Sequence, residues 1–220
     1  TNRSAKTGNK EAQAEKALLD RIKEVLMEAK SARTVVPQNA DEEVLMEEFQ
    51  LITNKPVLYV CNVDETSAVN GNAYVEQVKE LVKDENAEVI ILSVGAEADI
   101  TELESYEERQ IFLEDMGLTE PGSAVLIRAA YKLLNLQTYF TAGVKEVRAW
   151  TINVGSTAPQ AAGVIHTDFE KGFIRAEVIK YDDYVALGNE AKVKEAGKLA
   201  VEGKEYIVQD GDMMNFRFNV

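Results

Sequence analysis

From residue 10 onward, Leu18, Ile22, Val25, Leu26 and Ala29 recur three and four places apart, with Glu and Lys on the other faces. This period predicts an amphipathic helix over residues 10–33. Its stripe must be covered, either by the body of the protein or by the other limb of a helical hairpin. Without such a limb, the stripe predicts self-association through residues 10–33, because each large aliphatic side chain left in water forfeits about 1.5–3 kcal/mol of burial. Pro37 breaks the pattern, and Asp41-Glu42-Glu43 opens a short second helix carrying Val44, Leu45 and Phe49. After Pro56, Val57-Leu58-Tyr59-Val60-Cys61 is a continuous apolar run that predicts a strand covered on both faces. A polar turn, a helix over residues 74–84 and a second buried strand over residues 88–92 complete a strand, helix, strand unit, hence a parallel pair. A loop then leads to an acidic helix over residues 103–116 and, past Pro121-Gly122, to a helix over residues 123–134.

Beyond Asn135 the period shortens to two. Strands are predicted over residues 137–142, 146–152 and 173–181, with short closing strands over 206–208 and 213–219. Between the second and third lies Ala158-Pro159-Gln160-Ala161-Ala162-Gly163-Val164-Ile165, a helix with Pro in its first turn. Two strands, a crossing helix and further strands in under ninety residues fit a β-grasp fold. The expected core is Tyr139, Val147, Trp150, Ile165, Ile174, Val178, Ile207 and Phe216.

Composition narrows the classes. The 220 residues are 45% hydrophobic, enough for one substantial core or two small ones. No apolar run approaches the roughly 20 residues of a membrane-spanning helix, and the first residues carry no secretory h-region, so a cytoplasmic protein without a membrane partner is expected. Cys61, the only cysteine, reads as a buried, inert thiol. The formal charge of -14 argues against wholesale wrapping of nucleic acid, but it is unevenly placed. Residues 1–136 hold 14 Lys or Arg against 26 Asp or Glu, and residues 137–220 hold 10 against 12. The second half is therefore the more plausible surface for an anionic partner.

Loops at the carboxyl ends of parallel strands form the usual binding crevice. Here they are Asn62-Val63-Asp64-Glu65 and Ser93-Val94-Gly95-Ala96. In P-loop GTPases these two places hold the base, the first through Asn-Lys-x-Asp. A Glu in place of the Asp sets its carboxylate one methylene further out, where it can accept from the adenine 6-amino group. Read by itself, Asn-x-x-Glu is more often a plain strand-end turn. His166, the only histidine, sits at a helix end beside Thr167-Asp168 and reads as a structural hydrogen bond. Glu102, Glu104, Glu107 and Glu108, beside Arg109, read as a solvated face.

A resemblance adds to this reading. Residues 134–143 (Leu-Asn-Leu-Gln-Thr-Tyr-Phe-Thr-Ala-Gly), Glu146-Val147-Arg148-Ala149-Trp150-Thr151, residues 166–177 (His-Thr-Asp-Phe-Glu-Lys-Gly-Phe-Ile-Arg-Ala-Glu) and Gln209-Asp210-Gly211-Asp212 resemble the TGS region of the YchF, or Obg-like ATPase, family of the P-loop GTPase class. Asn62-Val63-Asp64-Glu65 stands where that family's altered base motif lies, which is associated with ATP over GTP. The resemblance implies an α/β chain: the returning helix of a coiled-coil insertion over residues 1–36, the end of a G domain over 37–135, and a β-grasp TGS domain over 136–220. It implies Asn62, Val63, Glu65, Ser93, Val94 and Gly95 as the adenine-nucleotide loops. Candidate RNA or ribosome contacts in the TGS region are Arg148, Lys171, Arg175 and Lys180. The sequence contains neither Gly-x-x-x-x-Gly-Lys-Ser/Thr nor Asp-x-x-Gly, so the residues that hold phosphates and Mg2+ are not among these 220. The expectation is weak or absent ATP binding and no hydrolysis by this chain alone, with Mg2+ engaged only in a full-length parent. The alternative is a TGS binding module for RNA, ribosome or protein with no nucleotide function.

Overall fold

A computed structural model describes residues 9–85, 87–143 and 146–219. The chain is α/β throughout and divides into two compact units, Thr1–Leu133 and Leu134–Val220.

The first unit opens with α1 (Lys10–Met27), capped by Asn9, whose Oδ1 accepts from the Ala12 N–H. It is shorter than its periodicity predicts, because Ala29 adopts a left-handed conformation (φ 58°) and the Lys30 N–H turns back to the Val25 carbonyl. A glycine usually marks this stop; an alanine gives no signal. The stripe is not left open along its length either. Leu18 and Ile22 are buried against Ala32, Val35 and Met46 of the same chain, with Leu45, Phe49 and Leu51 around them. Of the two covers the pattern allows, the body of the protein supplies one for Leu18 and Ile22, while Leu26, Met27 and Ala29, at the end of the stripe, stay exposed. In α2 (Ala40–Glu48) the buried positions are Met46 and Glu42 rather than Val44. Glu42 pairs with Arg21 of α1, and the Gln38 N–H, with Arg21 behind it, holds its carboxyl below the usual range.

Strands β1 (Leu58–Asn62) and β2 (Glu88–Leu92) pair in parallel, Leu58 with Glu88 through Asn62 with Leu92. Helix α3 (Ala73–Val82), which buries Val75 and Val82, makes the crossover. β1 is not covered on both faces, since Val60 is exposed; β2 is its only strand neighbour among the described residues. After β2 come α4 (Val94–Glu102), α5 (Tyr106–Asp115) and α6 (Gly122–Leu133). The stretch expected as a loop is α4, and the acidic helix begins only at Tyr106, behind a Ser105/Glu108 capping box.

The second unit is a five-stranded mixed sheet in the order β4-β3-β7-β5-β6. Its strands are β3 (Leu136–Ala142), β4 (Val147–Asn153), β5 (Phe173–Lys180), β6 (Ala200–Glu202) and β7 (Asp212–Phe218), with β3 and β7 parallel and the other pairs antiparallel. One face is covered by α7 (Ala158–Ile165), followed by the short α8 (Thr167–Lys171); α9 (Tyr181–Leu187) and α10 (Glu190–Glu195) lie between β5 and β6. Ala158, Ala161 and Ala162 are fully buried, so α7 lies close on Tyr139, Ile152, Phe173, Ala176, Val178, Met214 and Phe216. The buried Tyr139 hydroxyl donates to the Ala161 carbonyl at 2.9 Å, and burial pushes its phenol well above the ordinary value.

Three expected core residues lie outside this core: Val147, Ile174 and Ile207 are 74%, 55% and 42% exposed. Val147 begins the edge strand. A register shift between Phe173 and Arg175 opposite β7 puts two successive residues outward, so Phe173 and Ala176 point in and Ile174 out. The segment around Ile207 forms an isolated bridge to Thr157 instead of a strand, which buries Val208. There the Tyr206 carbonyl accepts from the Ala158 N–H at the start of α7. Gly172 is required by close approach, since a Cβ there would stand 1.9 Å from the Asn219 carbonyl oxygen. The bulge makes a direct prediction for urea unfolding: Phe173→Ala costs about 3–5 kcal/mol, whereas Ile174→Ala costs under about 1 kcal/mol. Equal losses would contradict the register.

Candidate functional site

The parallel register sets Asn62 level with Leu92, so the two following loops leave the same sheet edge side by side. The Val63 N–H extends the ladder to the Leu92 carbonyl at 2.9 Å. Ser93 is buried and caps α4, its Oγ accepting from the Ala96 N–H at 3.4 Å and its carbonyl from the Glu97 N–H at 3.1 Å. The Asn62 Oδ1 accepts from the Val94 N–H at 3.1 Å, which ties the first loop to the second. Of the first-turn amides of α4, that of Gly95 alone has no hydrogen-bond partner among the described residues.

Within the first loop the two carboxylates differ in role. Asp64 faces its own turn, accepting from the Thr66 hydroxyl at 2.7 Å and the Ser67 N–H at 2.9 Å, and these bonds, the Thr66 hydroxyl first, hold its carboxyl below the usual range. Glu65 is exposed and lies over Gly95: a Cβ at Gly95 would stand 3.7 Å from its Oε1 and 4.0 Å from Ser93 Oγ. The six residues expected in these loops are thus gathered at one edge. This edge offers an exposed carboxylate acceptor on Glu65, a Gly95 N–H without a partner among the described residues, and the Asn62 side-chain amide, whose oxygen is already engaged.

Two residues at this edge gave no sequence signal. Glu97 accepts from the Gly122 N–H at 2.6 Å and the Ser123 N–H at 3.1 Å, and Gly122 is pressed on β2, where a Cβ would stand 2.0 Å from Leu92 Cδ1. An acidic residue in a helix first turn is commonplace, and its partner lies 25 residues away.

In the second unit the four basic candidates do not form one group. Lys180 is committed to the fold. Its Nζ donates to Asp212 Oδ1 at 2.6 Å and lies 3.0 Å from the Tyr206 hydroxyl, while Asp212, fully buried, also accepts from the Tyr206 hydroxyl and the Gln209 N–H. Burial works against the Lys180 charge, but the bonds to Asp212 and Tyr206 prevail and raise its pKa. Arg148 is exposed on β4 with its guanidinium 4.0 Å from the Trp150 ring centroid, and Arg175 and Lys171 are exposed. His166 accepts the Asp168 N–H at 3.2 Å as the cap of α8, and Cys61 is half-buried rather than fully buried. No group of three or more His, Cys, Asp or Glu suited to a metal ion occurs among the described residues, and no helix among them is long and apolar enough to cross a membrane.

The parallel pair followed by a mixed sheet is an α/β arrangement whose structural neighbours include a YchF GTPase. Residues 136–219 match the YchF-GTPase C-terminal family, described as a protein of unknown function (DUF933). The chain is 54% identical over 216 residues to the ribosome-binding ATPase YchF of Haemophilus ducreyi, covering 98% of this chain and 59% of that protein. It is 52% identical over 218 residues to the protein of the same name from Escherichia coli O157:H7, covering 99% and 59%. The solved structure of the Schizosaccharomyces pombe YchF GTPase superposes with a TM-score of 0.79 at 33% identity, covering 93% of this chain and 55% of that one. The chain belongs to the YchF family and corresponds to the C-terminal part of its members. It spans about 59% of the length of these curated relatives.

The contrast among the basic residues is measurable. Lys180→Ala, which strips a buried carboxylate of one partner, is expected to cost about 1–3 kcal/mol in urea unfolding. Arg148→Ala and Arg175→Ala should each stay within about 0.5 kcal/mol of wild type. A silent Lys180→Ala would contradict the structural role.

Proposed function

We propose that this chain carries the base-recognition edge of a YchF-type ATPase that prefers ATP to GTP, joined to a TGS-type β-grasp module that engages ribosomes. The observation that carries the nucleotide reading is the bond from the Val94 N–H to Asn62 Oδ1, which holds the Glu65 loop against the start of α4. The Glu65 carboxylate is an acceptor suited to the adenine 6-amino group, and the Gly95 N–H is a donor suited to a ring nitrogen. Guanine presents N1–H and a 2-amino group to the shorter carboxylate of the common GTPase motif, and the extra methylene of Glu65 moves its oxygens away from that position. The relatives are named ribosome-binding ATPases, which supports a ribosomal partner and, with it, a cytoplasmic location.

Electrostatic stabilisation of the transferring phosphoryl group needs a phosphate loop and Mg2+, and the motifs that supply them are not in this sequence. The chain alone is therefore expected to bind the base without turning ATP over. A charge-assisted base contact contributes about 1.5–3 kcal/mol against an association cost of several kcal/mol, so adenosine should bind weakly, with a Kd above about 1 mM.

Arg148 over Trp150 on the exposed edge strand favours a second reading, in which the module binds RNA or the ribosome independently of nucleotide. NMR titration of this chain with adenosine and guanosine tests the first reading. Adenosine should shift the amides of residues 62–65 and 93–96 more than guanosine does, and Glu65→Asp should narrow or reverse that preference. No shifts, equal shifts, or ATP turnover above background would overturn it. For the second, Arg148→Ala should weaken co-sedimentation with ribosomes while Glu65→Asp leaves it unchanged; the opposite pattern would contradict it.

A further inference from the structure

We infer that Glu97 is a positioning residue for the base loop, acting through the start of α6; this rests on the nucleotide reading of residues 93–95. The first amides of a helix lack partners within it and must find them elsewhere. For α6 they are fully accounted for: Ala124 and Val125 N–H go to the Pro121 carbonyl, and Gly122 and Ser123 N–H go to the two carboxylate oxygens of Glu97. These bonds join an anion to a helix N-terminus, the favourable sense for the helix dipole.

Glu97 lies in the first turn of α4, one residue beyond Ala96, whose N–H is held by Ser93. Anchoring it to α6 fixes the rotation of that turn about its axis. The rotation decides whether the Val94 N–H meets Asn62 and whether Gly95 stays against Glu65. Leu92, the last residue of β2, is clamped from the same side, because Gly122 leaves no room for even a Cβ against it. Residues 93–96 are therefore held from both flanks, by Leu92 under Gly122 and by Glu97 on Gly122 and Ser123. No residue of α6 needs to touch the ligand for α6 to set the geometry of the loop.

Hydrogen exchange measured by NMR on the chain, together with adenosine titration, separates this role from simple capping of α6. In Glu97→Ala, the Gly122 and Ser123 amides should exchange faster, and the Val94 and Ala96 amides should follow by about tenfold, the worth of one hydrogen bond. Ile90, in the middle of β2, should keep its rate, and adenosine affinity should fall several-fold. Glu97→Gln, which retains one acceptor oxygen, should recover part of both effects. If the alanine variant is destabilised throughout, so that Ile90 also accelerates, the Glu97→Gln comparison decides by the same criterion. Faster Gly122 and Ser123 exchange with unchanged Val94, Ala96 and adenosine affinity would overturn the proposal. If wild type takes up no adenosine, the base reading fails, and the Val94 and Ala96 rates still decide whether Glu97 positions the loop.

Discussion

Helix N-termini leave amides without partners, and at this site the supply of acceptors determines what remains free. The N–H of Val94 goes to Asn62, and that of Ala96 to Ser93. The Gly95 amide has no partner among the described residues, and the Glu65 carboxylate lies close to Gly95. The parallel pairing of β1 and β2 makes this possible, because only level strand ends let a side chain of one loop reach the backbone of the next. A one-residue slip would carry Asn62 to the opposite face and dissolve the site. The placement of the two loops therefore depends on a register set by two five-residue strands.

The second unit is held by different means. Its core is made close by three buried alanines of α7, and one fully buried carboxylate, Asp212, gathers Lys180, Tyr206 and the Gln209 amide around the last turn before β7. A buried charge tolerates no loss of partners, so Lys180 belongs to the fold before it belongs to any surface. Arg148, stacked on Trp150, and the exposed Arg175 and Lys171 carry no such obligation.

Much of this was legible in the sequence. β2 and α7 fall where their apolar patterns put them, because a short buried strand bounded by polar turns and a proline-started helix are strong local signals. The two loops could be located from the strand ends that precede them, whereas their six residues were singled out by the family resemblance. Other features are set by interactions the sequence does not display. α1 stops at an alanine in a left-handed conformation, α4 hides behind a glycine in its first turn, and a bulge in β5 reverses the expected facing of Ile174. Lys180 and Glu97 take partners 32 and 25 residues away, so neither role follows from local spacing. Local physics placed the elements; long-range satisfaction of polar groups decided which charges were free.

If the Asn62 to Val94 bond organises an adenine-binding edge, a crystal structure of the chain grown with adenosine will show the base beside Glu65 and Gly95 with that bond intact. A base bound elsewhere, or held at this edge with that bond broken, would contradict it.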